Sequence, residues 1–233
     1  MEILAMADLH GHLPDIREYL DFVDIIVIAG DIAPDYSYIP QINTEYQTGW
    51  FNTVFLKWAT TLNKPVFGCY GNHDYGTFKN NTKIKINENK VYDNFLLFSW
   101  TREFCGWNYM VKDLNEEPAV NNVKGSIEDR LISTLSKCKK IPEIWVSHGP
   151  PYRVCEFKDD YDQISFAGSR ALYSAIKKYH PKVVFVGHIH NGVRTGQIGD
   201  TQIFNCSVTD NALNLIRDPI VVSISIEDKE EKE

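Results

Sequence analysis

The sequence predicts an α/β protein, a layered sandwich of β-sheets covered by helices. Short apolar runs alternate with amphipathic stretches in the first half of the chain and again after residue 140. Most of the runs are continuous rather than alternating, as in strands that are buried on both faces. Strands that alternate with helices favour a layered architecture. The predicted strands are Ile3–Ala7, Val23–Ala29, Val66–Tyr70, Phe95–Phe98, Ile144–Val146, Val183–Val186, Ile203–Phe204 and Ile220–Ile226.

Four stretches are predicted to form helices. The clearest is Gly49–Leu62, where apolar residues recur at spacings of three and four, as in a helix that packs on a sheet. Ala167–Tyr179 repeats this pattern, Leu13–Leu20 is a shorter candidate with Pro14 in its first turn, and Lys124–Lys137 is the fourth. The predicted buried face of the first helix consists of Trp50, Phe51, Val54, Phe55, Trp58 and Leu62.

A single domain is predicted over residues 1–226, because 43% of the 233 residues are hydrophobic and the chain shows neither a linker nor a repeat. Lys79–Lys90 is rich in asparagine and lysine and is predicted to be a solvated excursion. The acidic residues 227–233 are predicted to form a disordered tail.

Composition excludes several classes of protein. The formal charge of −7 argues against a surface that binds long nucleic acids or anionic membranes. Residues 1–40 contain eight acidic residues and one basic residue, so this segment alone carries a formal charge of −7. The chain has no apolar run of about 18 residues and no recognisable signal peptide, which favours a cytoplasmic protein. Its five cysteines are widely spaced and are expected to be reduced.

Five predicted strands are followed by polar residues of the kinds that bind metals. Because the carboxyl ends of strands in open α/β sheets converge on ligands, these residues are expected to share one site. In an extended segment residues i and i+2 point to the same side, so Asp8 and His10 are expected to reach the site together. Adjacent Asn72 and His73 are expected to point apart. The five motifs are Asp8-Leu9-His10, Gly30-Asp31, Gly71-Asn72-His73-Asp74, Ser147-His148-Gly149 and Gly187-His188-Ile189-His190.

The candidate ligands combine imidazole, carboxylate and amide groups without a thiolate. This mixture suits Mn, Fe, Zn or Ni better than a structural zinc or a calcium site. Seven ligands are too many for one tetrahedral ion but fit two ions that share a carboxylate, and such pairs, about 3.5–4 Å apart, typically promote displacement at phosphorus. The seven are Asp8, His10, Asp31, Asn72, His148, His188 and His190.

In order and spacing, the five motifs resemble those of the calcineurin-like metallophosphoesterase superfamily. The match extends from residue 8 to residue 190. The segments Ser147–Pro151 and Gly187–Gly192 are further similar to metallophosphoesterase-domain (MPPED-type) proteins and class III cyclic-nucleotide phosphodiesterases. The resemblance implies a four-layer α/β/β/α sandwich of two mixed sheets flanked by helices, and two divalent ions, with Mn and Fe favoured.

The resemblance also implies a role for each residue. It assigns Asp8, His10 and His190 to one ion and Asn72, His148 and His188 to the other, with Asp31 bridging the two. It implies hydrolysis of a phosphoester by in-line attack of a metal-bridging hydroxide. His73 is then the acid that protonates the leaving alkoxide, and Asp74 is the residue that orients it.

Departures from the family pattern narrow the expected substrate. Ser147 stands where the family usually has glycine, and residues 30–35 lack the arginine of protein Ser/Thr phosphatases. The favoured substrate is therefore a small or nucleotide phosphodiester. The alternatives are a phosphomonoesterase or protein phosphatase of the same superfamily, and a non-catalytic metal-binding scaffold. His12 is interpreted either as a contact to the substrate phosphate, together with Asn72 and His73, or as a solvated turn residue.

Substrate choice is expected to depend on loops 34–48, 100–122 and 150–165. The first of these contains aromatic residues that have two interpretations. They form a wall over the site that stacks on a planar group, or they cap the helix that follows. The residues are Tyr36, Tyr38, Tyr46 and Trp50.

Overall fold

Two β-sheets form the centre of the computed structural model, which describes residues 1–37, 40–99, 127–155 and 168–226. The first sheet consists of β1 (Glu2–Met6), β2 (Ile25–Ala29), β3 (Val66–Cys69), β4 (Ile84–Asn87) and β11 (Ile220–Ser223), in the order β11-β1-β2-β3-β4. The second consists of β5 (Asn89–Tyr92), β6 (Phe95–Phe98), β7 (Ile144–Ser147), β8 (Val183–Val186), β9 (Thr195–Ile198) and β10 (Thr201–Asn205), in the order β5-β6-β7-β8-β10-β9.

Both sheets are mixed. In the first, β1 to β4 are parallel and β11 pairs with β1 in the antiparallel sense. In the second, β6, β7, β8 and β10 are parallel, while β5 and β9 are antiparallel edge strands. Parallel strands need covering layers on both faces of a sheet, which is why these strands are continuous apolar runs.

Helices cover the outer faces of the two sheets. On the first sheet lie α1 (Pro40–Trp50), a π-helical turn (Phe51–Phe55) and α2 (Leu56–Thr61), and on the second lie α3 (Ile127–Leu135) and α4 (Arg170–Tyr179). The order of the layers is therefore helix, sheet, sheet, helix, as the resemblance implied. The predicted four-layer sandwich is confirmed.

Alternate residues of each strand face different layers. In β1, Leu4 and Met6 pack on the helical side with Phe51 and Phe55, whereas Ile3 and Ala5 pack between the sheets. The sheets also meet through the parallel rings of Phe67 and Phe95, whose centroids are 4.3 Å apart.

The prediction for Lys79–Lys90 was wrong, because this segment contains β4 and the first part of β5. Ile84 and Ile86 are buried, whereas Lys85 and Asn87 are partly exposed, so the apolar signal of this edge strand is weak. Residues 79–83 are exposed, and two of their asparagines hold the turn before the strand: Asn80 bonds both backbone groups of Ile86, and Asn81 accepts the N–H of Ile84. The edge strand β9 was also missed.

The helical predictions need two corrections. Leu13–Leu20 forms only a 3₁₀ turn at Arg17–Tyr19, because the Asp15 carboxylate accepts the N–H of Arg17 and holds a local turn. The helix predicted at Gly49 begins instead at Pro40. Its π-helical turn leaves Val54 47% exposed, whereas Phe51 and Phe55 of the same turn are buried. The other two predicted helices are present as α3 and α4.

Several sequence predictions lie outside the described residues: the tail 227–233, the loop 100–122, most of 150–165, and Tyr38. Within the described residues, no helix is long and apolar enough to cross a membrane. The described cysteines are unpaired, in agreement with the prediction; they are Cys69, Cys138, Cys155 and Cys206.

Candidate metal centre

Five strands of the two sheets lead directly into the candidate site. The loops after β1, β2 and β3 bring residues from the first sheet, and those after β7 and β8 bring residues from the second. The loops are joined by backbone hydrogen bonds, from the N–H of Asp8 to the carbonyl of Gly30 at 3.0 Å and from the N–H of Gly187 to that of His148 at 2.8 Å. The sandwich thus brings the five motifs together.

Four candidate ligands have left-handed backbone conformations, with φ of 57° at Asp8, 44° at His10, 49° at Asp31 and 71° at His188. The expectation that Asp8 and His10 lie in an extended segment was therefore wrong. Both still reach one site, and Leu9 between them is fully buried. A left-handed conformation costs on the order of 1–3 kcal/mol at a residue other than glycine, and such residues cluster at functional sites.

The first group of candidate ligands consists of Asp8, His10 and His190. Their potential ligand atoms all lie within 4.8 Å of one another. His190 Nε2 is 3.4 Å from Asp8 Oδ1, and the rings of His10 and His190 are 5.3 Å apart. These are the three residues that the resemblance to the family assigns to one ion.

The second group is centred on His148. Its Nε2 lies 3.1 Å from Asp31 Oδ2 and 3.1 Å from Asn72 Oδ1, and its ring is 5.2 Å from that of His188. Asp31 Oδ2 is also 3.8 Å from His10 Nε2. The Asp31 carboxylate therefore lies between the two groups, the position of a bridging ligand.

Backbone carbonyls determine how the histidines of the site are oriented. His148 Nδ1 lies 2.8 Å from the carbonyl of Ala29, and His190 Nδ1 lies 2.7 Å from that of Asp210. Because a carbonyl only accepts hydrogen bonds, Nδ1 carries the proton in both rings and Nε2 faces the carboxylates. Histidines that ligate metals commonly have such outer partners.

The chemistry of His10 tests whether these residues fit a metal. Its ring is only 8% exposed, and neither of its nitrogens has a hydrogen-bond partner among the described residues. A buried polar group without a partner is costly. A cation shared with Asp8 and His190 would satisfy one of the two His10 nitrogens. The donor set of imidazoles and carboxylates suits a divalent transition metal. The residues fit the implied ions.

The carboxylates remain ionised despite their burial. Burial raises the pKa of Asp8, but the hydrogen bond to His190 and the charge of His148 outweigh it and bring the pKa to about 2. Burial likewise acts on Asp31, yet His148 holds its pKa well below the usual range. Burial lowers the pKa of His148, but Asp31 raises it to about 9. The charges of Asp31 and His148 thus stabilise each other.

His73 points away from Asn72, as predicted, and its Nδ1 lies 2.7 Å from Asp35 Oδ2. Burial lowers the pKa of His73, but the charges of Asp31 and Asp35 outweigh it and raise the pKa to about 9. Its ring is 5.2 Å from that of His10, and ligand atoms of His10, Asp35 and His73 also lie within 4.8 Å of one another. His10, Asp35 and His73 therefore form a third group that could hold a cation.

Asp35, and not Asp74, is the carboxylate that holds the His73 ring, which corrects the role predicted for Asp74. The Asp74 carboxylate is buried and accepts backbone N–H groups of Ile32, Ala33 and Gly71 at 2.8–3.1 Å. Burial and the charge of Asp31 raise the pKa of Asp74 to about 6. Asp74 joins the loops that follow β2 and β3.

His12 lies at the edge of the site. It is exposed, and its Nε2 is 2.9 Å from the carbonyl of Leu213. The loop that positions His190 through Asp210 therefore also contacts His12. Its predicted contact with the substrate phosphate stays a prediction.

Sequence analysis missed a buried polar row that follows β10. Ser207 donates a hydrogen bond to the Asp8 carboxylate, and its N–H donates to Asn205 Oδ1. Thr209 donates to the carbonyl of Asp8 at 2.8 Å. These three residues alternate along the chain and are all fully buried. That period of two, directly after a strand, was the available signal.

Replacing Asp74 with alanine is expected to destabilise the protein by about 2–4 kcal/mol, because three buried N–H groups lose their acceptor. Urea denaturation in the presence of a chelator measures this without a contribution from metal. Asp35→Ala is the matched control, expected to cost about 1 kcal/mol or less because that side chain is 35% exposed. Equal losses in the two variants would contradict the structural role of Asp74.

Comparison with known proteins agrees with the fold and the motifs. A profile of the calcineurin-like phosphoesterase family matches residues 1–192. The uncharacterized protein MJ1162 of Methanocaldococcus jannaschii is 28% identical over 210 residues, which cover 89% of this chain and 88% of that protein.

Solved structures are also similar to this chain. TT1561 of Thermus thermophilus superimposes with a TM-score of 0.52 at 17% identity, covering 88% of each chain. Vps29 of Entamoeba histolytica, solved in complex with zinc, aligns with a TM-score of 0.43 at 13% identity and covers 96% of this chain and 86% of that one. Because the family profile spans most of its length, the chain belongs to the calcineurin-like phosphoesterase family.

Proposed function

We propose that the protein is a dinuclear metal-dependent phosphoesterase that hydrolyses a small or nucleotide phosphodiester. The observation that carries the proposal is the position of the buried Asp31 carboxylate. Asp31 Oδ2 lies 3.1 Å from His148 Nε2 in one group of ligands and 3.8 Å from His10 Nε2 in the other. A shared carboxylate between two sets of imidazoles is the arrangement that a pair of divalent ions requires.

The residues of the two groups would hold the ions as the sequence assigned them. Asp8, His10 and His190 would bind one ion, and Asn72, His148 and His188 the other, with Asp31 shared. This mixture of nitrogen and oxygen donors suits Mn, Fe, Zn or Ni, and the resemblance to the family favours manganese and iron. When bound, the ions supply Lewis-acid stabilisation of the phosphoryl oxygens and an activated water.

The protein's own contribution to bond cleavage comes from His73. Asp35 fixes its Nδ1, so Nε2 is the nitrogen that donates a proton to the leaving oxygen. The Asp35 carboxylate favours the protonated form of the ring, which is the form that has this proton to give. A positioned general acid of this kind typically contributes about 10²–10⁴-fold to the rate.

Asp35 also supports a preference for diesters. Its side chain is 35% exposed and lies in contact with His73. A phosphomonoester carries up to two negative charges near neutral pH and a diester carries one, so a carboxylate beside the reacting group repels the monoester more strongly. The absence of an arginine between residues 30 and 35 acts in the same direction.

Asn72→Ala and His148→Ala are each expected to lose one metal equivalent and to lower turnover by more than about 100-fold, above the 10- to 100-fold typical of residues that only orient a ligand. Mass spectrometry of metals and hydrolysis of bis-p-nitrophenyl phosphate after reconstitution with manganese measure the two effects. His180→Asn is the matched control, because His180 is exposed at the end of α4. Full metal content and activity in both ligand variants would contradict a dinuclear site.

The wild-type protein is expected to have a higher kcat/KM for bis-p-nitrophenyl phosphate than for p-nitrophenyl phosphate. Asp35→Asn removes the repelling charge and is expected to reduce this ratio by about 3- to 10-fold. The two substrates release the same phenolate, so an effect of the variant on His73 cancels in the ratio. A preference for the monoester in the wild type would overturn the proposed diesterase.

His73→Ala is expected to retain both metals and to lower the hydrolysis of diesters with alkyl leaving groups by about 10²–10⁴-fold. Esters of p-nitrophenol should lose much less, because this leaving group needs no proton. Asp35→Asn should show the same pattern to a smaller degree. Loss of a metal from His73→Ala would instead assign His73 to a cation site with His10 and Asp35.

A further inference from the structure

Two tyrosines form an exposed stacked pair beside the site. The rings of Tyr36 and Tyr46 are 4.5 Å apart at an interplanar angle of 18°, and the residues are 66% and 40% exposed. Of the four aromatic residues named from the sequence, Trp50 packs against the hydrophobic core through Phe51 and Phe55, and Tyr38 lies outside the described residues. The aromatic wall therefore comprises these two rings.

One face of α1 holds the pair in place. Asn43 Oδ1 accepts the N–H groups of Tyr36 and Ser37 at 2.9 and 2.8 Å, and its Nδ2 donates to the carbonyl of Ser37. Asn43 is only 2% exposed. Tyr46 lies three residues further along the helix and so shares the face of Asn43. The backbone of Tyr36 is thus held against α1, and its ring stacks on that of Tyr46.

The pair is directly linked to the proposed general acid. Tyr36 follows Asp35, which holds His73 Nδ1, and consecutive Cα atoms are about 3.8 Å apart. Tyr46 precedes Gln47, a fully buried residue whose Nε2 donates to the carbonyl of His73 at 2.8 Å. Each tyrosine is therefore the chain neighbour of a residue that contacts His73, the residue proposed to protonate the leaving group.

We propose that the Tyr36–Tyr46 pair binds the base of a nucleoside that leaves as the alcohol of the phosphodiester. The inference rests on the proposed phosphoesterase function. Tyr46 covers one face of the Tyr36 ring, and the exposure of Tyr36 offers the other. A nucleobase stacks on the exposed face of an aromatic ring, and all bases do so because each has a π-face.

The charges beside the pair favour a neutral planar group. Asp35 and Glu45 flank the two tyrosines in the chain, and both residues are exposed. These carboxylates disfavour a second phosphate or another anion at this position, whereas an uncharged base is tolerated. The occupant is therefore a nucleobase rather than an anionic group.

The reaction is balanced as an ordinary hydrolysis. The bond between phosphorus and the nucleoside oxygen breaks, and the oxygen of water joins phosphorus. The proton of His73 goes to the leaving oxygen, so the nucleoside departs as a free alcohol. The proton that the attacking water releases restores the His73 ring through solvent. The other ester group stays on phosphorus as a phosphomonoester.

The test compares two substrates with the same type of leaving oxygen. One is the methyl phosphate diester of adenosine at its 5′ oxygen, and the other is the same diester of 1-O-methylribose, which lacks a base. We expect Tyr36→Ala to lower the ratio of their kcat/KM values by about 5- to 100-fold, the range of a lost base stack. Tyr36→Phe retains the ring and is expected to retain the preference for the adenosine diester. Phe22→Ala is the control, an aromatic 53% exposed that contacts Tyr19.

Binding of adenosine to the metal-free protein gives a readout that does not depend on turnover. Saturation-transfer NMR should detect contact with the base in the wild type and lose it in Tyr36→Ala. An unchanged substrate ratio in Tyr36→Ala, or release of methanol rather than adenosine, would overturn the inference but leave a phosphoesterase. If the wild type hydrolyses neither diester, the proposed function fails, and the NMR result alone decides whether the pair binds a base.

Discussion

The buried carboxylate of Asp31 is the group on which the rest of the site depends. It lies between His10 and His148, and its Oδ1 accepts the N–H of His73 at 2.8 Å. A side chain at Gly71 would clash with it, so the third motif approaches Asp31 only because that position is glycine. The charge of Asp31 raises the pKa values of His148 and His73, which burial lowers. It also raises the pKa of Asp74, which burial raises as well. Such a concentration of charge in a buried place is stable only if cations or protons balance it.

The sandwich determines where that charge can be placed. Strands buried on both faces cannot carry polar side chains along their length, so polar chemistry begins where the strands end. The left-handed conformations of Asp8, His10, Asp31 and His188 turn the chain sharply at those ends and direct side chains from two sheets into one volume. The strain is sustained by the surrounding hydrogen bonds, which join the Asp8 carboxylate to Ser207 and to the N–H of His188. Fold and site therefore support each other: the packed strands hold the strained loops, and the loops hold the ligands.

Much of this arrangement could be predicted from sequence, because continuous apolar runs followed by Asp, Asn and His are strong local signals. The layered α/β architecture, most strands and the convergence of seven candidate ligands followed from them, and the resemblance to the family implied the four layers. What could not be predicted depended on three-dimensional partners. Asp74 is adjacent to His73 in sequence, yet its oxygens are used by backbone N–H groups, whereas Asp35, 38 residues earlier, reaches the ring. The edge strand β4 was missed because only two of its residues, Ile84 and Ile86, are buried, and two apolar residues are too weak a signal.

Residues 34–37 connect these findings. The segment leaves the second motif, supplies Asp35 to His73 and Tyr36 to the aromatic pair, and is then fixed by Asn43 and Gln47 of α1, which bond Ser37 and Pro34. Because Gln47 also bonds the carbonyl of His73, one helix face sets the distance between the proton donor and the rings. Metal binding depends on the ends of five strands. The proposed recognition of the leaving alcohol depends on residues 34–47, and Asp35 and Gln47 tie that segment to His73 of the third motif.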